Sequence, residues 1–154
     1  VRRWWRQGEA FNFGIFDRRE DRFLGSIWLS QINQKHHYAN VGYWVRTRST
    51  GRGIATAAVK LILQFGFEEA GMNRLEILAA VGNKASRAVA RKIGAKPEGV
   101  LRHRLQLQNR FHDAVMFSVL KKDRTPSGTR RRNVSAHRKG PGASSPIGRL
   151  NSGP

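Results

Sequence analysis

Arg48–Thr56 reads RSTGRGIAT: two glycines bracket an arginine, after the aromatic run GYWV and before the alanine-rich stretch AAVKLILQF. The apolar positions Ile54, Ala58, Leu61, Ile62 and Phe65 recur at helical spacing, which predicts a helix from Gly53 to Ala70 with one apolar stripe. The loop is therefore a strand-to-helix junction, and the free N–H groups of the first helical turn point back into it. Glycines before a helix N-terminus make an anion site, because the dipole favours negative charge and a bare backbone allows close approach. Arg52 adds a side-chain charge. Three phosphate loops compete for this pattern. A Walker loop needs Gly-Lys-Ser/Thr, and no lysine stands there. A dinucleotide fingerprint needs a third glycine where Thr56 stands, and an acid at the end of the next strand, whereas Glu76 sits near that strand's start. The third is a pyrophosphate loop for coenzyme A. A tight turn that uses glycine only for its φ freedom stays open beside all three.

Outward from the loop, the chain alternates strands and helices. FNFGIF sets Phe11, Phe13 and Ile15 against Asn12 and Gly14, a strand pattern. FLGSIWLSQI and ANVGYWV follow as strands two and three of an antiparallel meander. After the helix, Gly71 serves as its C-cap. RLEILAAV (Arg74–Val81) is apolar on both faces and should lie centrally. GNKASRAVARKIGA reads as a second helix, capped by Asn83 and stopped by Gly94. EGVLRHRLQL and FHDAVMFSVL close the domain as two strands. The order is β-β-β-α-β-α-β-β, with no internal repeat.

Composition bounds the function. The chain has 154 residues, the size of one domain. It has no cysteine, which excludes disulfides and thiolate metal sites and fits a reducing compartment. No apolar run reaches the roughly 18–20 residues of a membrane span, and VRRWWRQGEAF has no apolar signal core behind it. A cytoplasmic protein without a membrane partner is expected; the first residue, Val1, leaves room for a trimmed N-terminus. The net charge is +19 and the pI about 11.8. From Lys122 onward stand Lys122, Arg124, Arg130, Arg131, Arg132, Arg138, Lys139 and Arg149 against Asp123 alone. This stretch is rich in Gly, Pro, Ser and Arg and lacks periodicity, so residues 122–154 are expected to form a disordered basic tail beside a folded domain at 1–121. Such a field attracts polyanions, and non-specific contact with RNA or the ribosome through the tail is expected. No stacking platform or recognition-helix pattern accompanies it.

GYWV, TGRGIATAAVKLILQFGFEEAGMNRLEI, GNKASRAVARKIGAKPEGVLR and HDAVMFSVL, in this order, resemble the GNAT superfamily of N-acetyltransferases. Within it the likeness is closest to the ribosomal-protein alanine and serine N-terminal acetyltransferases, from about Gly8 to Leu120. The superfamily loop, Arg/Gln-x-x-Gly-x-Gly/Ala, fits Thr50–Ala55 with Thr50 departing in first place; Arg48–Gly53 fits without departure, but helix onset favours the first register. The resemblance implies an α/β (or α+β) fold with a mixed, largely antiparallel sheet and helices on both faces. It also implies that the usual strand and two helices before FNFGIF, which wall the acceptor site and cover a sheet edge, are lacking here.

The activity implied is transfer of an acetyl group from acetyl-CoA to a primary amine, with a protein N-terminus as acceptor. A catalytically idle relative that binds RNA or ribosomes, and an enzyme for small amines, are the alternatives. The pantetheine arm would lie on the backbone from Tyr43 through Trp44 and Val45 to Arg46. The pyrophosphate would sit on the N–H groups of Gly51, Arg52, Gly53, Ile54, Ala55 and Thr56. Asn83 and Ser86 match the family's NxxS pair: by that likeness Asn83 would contact the cofactor arm, and Ser86 would protonate the departing thiolate. Each also has an ordinary structural role, Asn83 as N-cap and Ser86 as a first-turn residue bonded to its own backbone. No metal is implied. Close relatives carry a glutamate shortly after EGxxR, and here Leu105 takes that position. The candidate base is then His103, whose side-chain type titrates in the useful range; Glu76, Glu98 and His112 are further options.

Overall fold

The computed structural model describes residues 10–124. The tail beyond Arg124 lies outside the described residues, as does the N-terminal VRRWWRQGE. The eight expected elements are present in the expected order. β1 (Phe11–Phe16), β2 (Phe23–Asn33) and β3 (Tyr38–Val45) form the antiparallel meander. Its two turns are built by side chains: Asp17 Oδ1 accepts the N–H of Arg19 at 2.8 Å, and Asn33 Oδ1 accepts that of His36 at 2.8 Å. α1 (Ile54–Glu68), β4 (Arg74–Ala80), α2 (Lys84–Lys92), β5 (Lys96–Leu107) and β6 (Arg110–Leu120) follow. A 3₁₀ turn at Lys121–Asp123 continues past the expected domain end, and Asp123 Oδ2 accepts the N–H of Leu120 at 3.1 Å.

The six strands form one sheet in the order β1-β2-β3-β4-β6-β5. All neighbours are antiparallel except β3 and β4, which run parallel. β4 is central, as its two-sided apolar pattern demands. Leu75, Ile77 and Ala79 alternate into the main core opposite Val119, Phe117 and Val115 of β6.

Both helices pack on one face of the sheet, rather than on the two faces expected. Ile27, Leu29, Val41, Leu75, Ile77 and Phe117 share a face by register, and the same core cluster takes in Val59, Ile62, Leu63 and Phe67 of α1 and Ala90 of α2. The cause is topological. β3, β4 and β5 are mutually parallel and each crossover steps in the same direction, so right-handed connections place both helices on the same side. On the opposite face Trp28 lies across Gly42, where a Cβ would collide with the indole.

The buried stripe of α1 also differs from the expected one. Ala58, Val59, Ile62, Leu63, Gly66 and Phe67 face the sheet, whereas Leu61 is 69% exposed. α1 is apolar around most of its circumference, so a 3.6-residue period fits more than one stripe. Packing against β2 and β3 selects between them. Gly66 suits that packing: a Cβ there would lie 2.7 Å from Leu75 Cδ1, so the buried Leu75 side chain would have to shift.

Candidate active site

β3 and β4 pair only over Tyr38–Arg74, Ala39–Leu75 and Asn40–Glu76. β3 then runs on to Val45 and β4 to Ala80 without further pairing between them. β4 keeps all seven of its residues on β6, so the sheet splits at this one parallel seam. The β4-facing N–H and C=O groups of β3 beyond Asn40 are left without a strand partner. α1 and α2 both begin at the split end, because each follows the C-terminal end of one of the two parted strands. A cleft of about 440 Å³ opens there.

One wall of the cleft is β3 and the loop after it, with Tyr43, Trp44, Val45, Thr50, Gly51 and Gly53. Gly51 and Gly53 have φ of 75° and 76°, a region that strains any residue with a Cβ. Apart from the residues adjoining each glycine in the chain, no atom of the described residues lies within 4 Å of a Cβ built on either. The glycines are thus needed for backbone conformation, and the space beside them is open. α1 has Gly53 as N-cap, no side-chain cap and no acid in its first turn. The first N–H of the run with a backbone acceptor is that of Ala57, on Gly53 O at 2.9 Å. The N–H groups from Gly51 to Thr56 therefore form an uncapped positive end, which is the electrostatic requirement for an anion.

The other wall is α2, through Ala85, Ser86, Ala88, Val89 and Lys92. Asn83 caps the helix, its Oδ1 accepting the N–H of Ser86 at 3.0 Å. Ser86 Oγ lies 3.0 Å from the Tyr43 hydroxyl. Tyr43 was legible in the sequence only as strand backbone; its hydroxyl links the two walls. Burial raises its phenol pKa, partly offset by the Ser86 hydrogen bond. Lys92 also lines the cleft; the sequence reading misses it, although Ala85, Ala88, Val89 and Lys92 stand at i, i+3, i+4 and i+7, one helix face.

Other expected residues reach the cleft by their backbone alone, or not at all. The side chains of Arg52 and Ile54 line a separate groove between β1 and α1, and Arg46 lies over the Phe23 ring at 5.5 Å. Their backbone belongs to the cleft loop, but their side chains do not line the cleft. His103 is not brought to it either. It sits on edge strand β5, separated from β3 by β4 and β6, in an irregularity between Leu101 and Leu105. Its φ is 48°, its N–H donates to Asp113 Oδ1 at 2.8 Å and its ring stacks on Phe111. Leu105 pairs with His112 in the same hairpin.

Glu76 and Glu98 lie toward the opposite, closed end of the seam. Arg74 Nε donates to Glu76 Oε1 at 2.7 Å, and its two terminal nitrogens donate to Glu98 at 2.8 and 2.6 Å. Ser118 Oγ donates to Glu98 Oε1 at 2.6 Å. Arg74 first, and Ser118 second, pull the Glu98 carboxyl down to about 2. A carboxylate held this firmly ionised is a poor proton acceptor. Among the described residues, no Asp or Glu lines the cleft.

The Glu98 shift gives a pH prediction. Its folded pKa is below the ordinary 4.5, so its contribution to stability is complete above that value and is lost as pH falls toward about 2. The pair is partly exposed, which limits the contribution to about 1 kcal/mol or less. The urea midpoint should fall over this acid range, and Glu98→Gln should flatten that fall. An equally steep fall in the variant would refute the assignment.

A family model described as an acetyltransferase (GNAT) domain matches residues 1–96. The chain belongs to this family. It is 41% identical over 99 residues to a putative ribosomal N-acetyltransferase, YdaF, of Bacillus subtilis, covering 64% of this chain and 54% of that protein. It is 27% identical over 134 residues to the spermidine N(1)-acetyltransferase of Escherichia coli, covering 79% of this chain and 72% of the relative. Mycobacterium smegmatis RimJ in complex with CoA-disulfide superposes with a TM-score of 0.74 at 27% identity, over 80% of this chain and 58% of that one. The chain thus spans little more than half the length of YdaF. The mixed sheet with two crossover helices is the architecture this GNAT chain shares with that neighbour.

Proposed function

We propose that this chain transfers an acetyl group from acetyl-CoA to a primary amine, the N-terminal amine of a protein such as a ribosomal protein. The observation that carries the proposal is the uncapped N-terminus of α1, opening beside the unpaired edge of β3. The residues present fit the cosubstrate. The N–H groups from Gly51 to Thr56 would hold the pyrophosphate, with Lys92 as a nearby cation. The unpaired β3 backbone at Trp44 and Val45 offers donors and acceptors to an amide-bearing arm. When bound, acetyl-CoA supplies an acetyl group activated as a thioester.

The chain's own contribution is positioning and one proton. The amine forms the new N–C bond as the C–S bond breaks. Ser86 gives its hydroxyl proton to the sulfur, and the proton shed by the amine returns through water to restore the serine. With no carboxylate on the cleft wall among the described residues, water is the acceptor of the amine proton. The rate should then rise with pH toward the amine's own pKa, without a carboxylate limb.

The likeness to a spermidine acetyltransferase supports a polyamine as the second acceptor reading. The net charge of +19 opposes it, since a polycation meets a repulsive field. Thermal unfolding with and without acetyl-CoA tests the donor: at about a hundredfold excess over Kd, mass action stabilises by about 2.7 kcal/mol. An unchanged melting temperature at saturating acetyl-CoA sinks the proposal. Acetylation of peptides beginning with serine or alanine, compared with spermidine, then decides between acceptors; transfer to spermidine alone would overturn the protein N-terminus.

A further inference from the structure

The transfer reading makes Ser86 a proton donor, and the inference drawn here rests on that reading. A serine hydroxyl carries one proton and two lone pairs. In the first turn of a helix it has an easy local alternative, which is to spend that proton on nearby backbone. What matters chemically is where the Oγ–H points, and Ser86 does not settle this alone.

Tyr43 is placed to settle it. It stands on β3 in the stretch beyond the last β3–β4 pair and packs against the main core. Its hydroxyl lies 3.0 Å from Ser86 Oγ and 3.4 Å from the Ser86 carbonyl oxygen, so the side-chain contact is the shorter. Both partners are fixed independently, Tyr43 by the sheet and Ser86 by the Asn83 cap. Burial disfavours the phenolate, so the phenol keeps its proton through the neutral range and can donate. The contact also spans the cleft, since β3 forms one wall and α2 the other.

We propose that Tyr43 is a positioning residue whose phenolic O–H donates to Ser86 Oγ, occupying a lone pair and turning the serine's own proton into the cleft. Tyr43 itself exchanges no proton with the reacting atoms. Its loss leaves Ser86 in place but frees the hydroxyl to bond elsewhere.

The experiment compares wild type, Tyr43→Phe, Ser86→Ala and the double variant. Acetyl-CoA affinity is measured by calorimetry and turnover with a peptide bearing a free N-terminal serine. Tyr43→Phe should bind acetyl-CoA within about twofold of wild type and lose about tenfold in kcat, the pattern of a contact felt in the transition state. The double variant should be no slower than Ser86→Ala alone, because the tyrosine acts only through the serine. Full turnover in Tyr43→Phe beside an impaired Ser86→Ala overturns this inference and leaves the transfer reading standing. Full turnover in Ser86→Ala removes Ser86 as the proton donor and overturns this inference with it, while acetyl transfer itself stands; a chain that neither binds acetyl-CoA nor turns over fails the transfer reading instead. A second readout needs no turnover. The chain has two tyrosines, so isotope-labelled tyrosine gives a resolvable Tyr43 Cζ resonance. It should shift in Ser86→Ala, and in wild type should shift more with CoA than with desulfo-CoA. Equal shifts with the two ligands would show that the sulfur does not reach the pair and would sink the proposal.

Discussion

Gly53→Val is expected to abolish the rise in melting temperature that acetyl-CoA produces, while leaving the unliganded domain folded. Gly53 holds φ at 76° as the N-cap of α1. A β-branched residue in that region costs about 1–2 kcal/mol, enough to shift the loop out of its conformation but well below the stability of an ordinary domain. Beyond the adjoining residues, no atom of the described residues lies within 4 Å of a Cβ here, so no tertiary collision adds to the cost. The damage falls on what the loop presents. Moving φ to the negative side turns the N–H groups between Gly51 and Thr56 away from a common point, and the added methyls occupy the anion's approach. Affinity should drop by at least about a hundredfold, since hydrogen bonds to a charged group contribute about 1.5–3 kcal/mol each and several are lost together. Arg52→Ala should cost far less, because that side chain lies on the groove beside α1 rather than in the cleft. Calorimetric titration of both variants checks the ordering. If Arg52→Ala loses binding and Gly53→Val keeps it, the side chain rather than the backbone holds the ligand.

That ordering marks where the sequence stops being legible. The glycines, the helix onset and the Asn83 cap could be read directly, because each is dictated by local backbone chemistry: φ sign, unsatisfied N–H groups, a side chain three residues from its partner. The strand order was legible in outline, since β4 is apolar on both faces. Which way Arg52 points was not, because a flexible side chain beside a glycine follows its tertiary surroundings, here the groove and the charge of Asp17. Periodicity places Leu61 in the core for a related reason: an apolar helix admits several stripes, and only the sheet chooses. The pairing of Tyr43 with Ser86 joins residues 43 apart, across a split no periodicity announces. His103 has the right chemistry at the wrong strand. The sequence places it near EGVLR, but two strands intervene between β5 and the cleft.

The split itself depends on what holds β4 from its other side. Three β3–β4 pairs cannot locate a strand that must stand free along its remaining length, whereas the seven β4–β6 pairs can. Phe117 is the centre of that support: it is 1% exposed, sits opposite Ile77 and is among the largest fully buried side chains. Phe117→Ala is expected to cost about 3–5 kcal/mol, through lost transfer energy and the cavity left between sheet and helices. That is a large share of the roughly 5–15 kcal/mol of a typical domain. Leu61→Ala, at an exposed site, should change stability by no more than about 0.5 kcal/mol. The two variants also separate fold from site. Phe117 does not touch the cleft, so at a temperature where Phe117→Ala is still folded, acetyl-CoA should bind it with affinity close to wild type and raise its melting temperature by a similar free energy. Urea unfolding with and without acetyl-CoA measures both quantities. A Phe117→Ala protein that is well folded yet no longer binds would mean that the position of β4, and not the loop before α1, sets the affinity of the cleft.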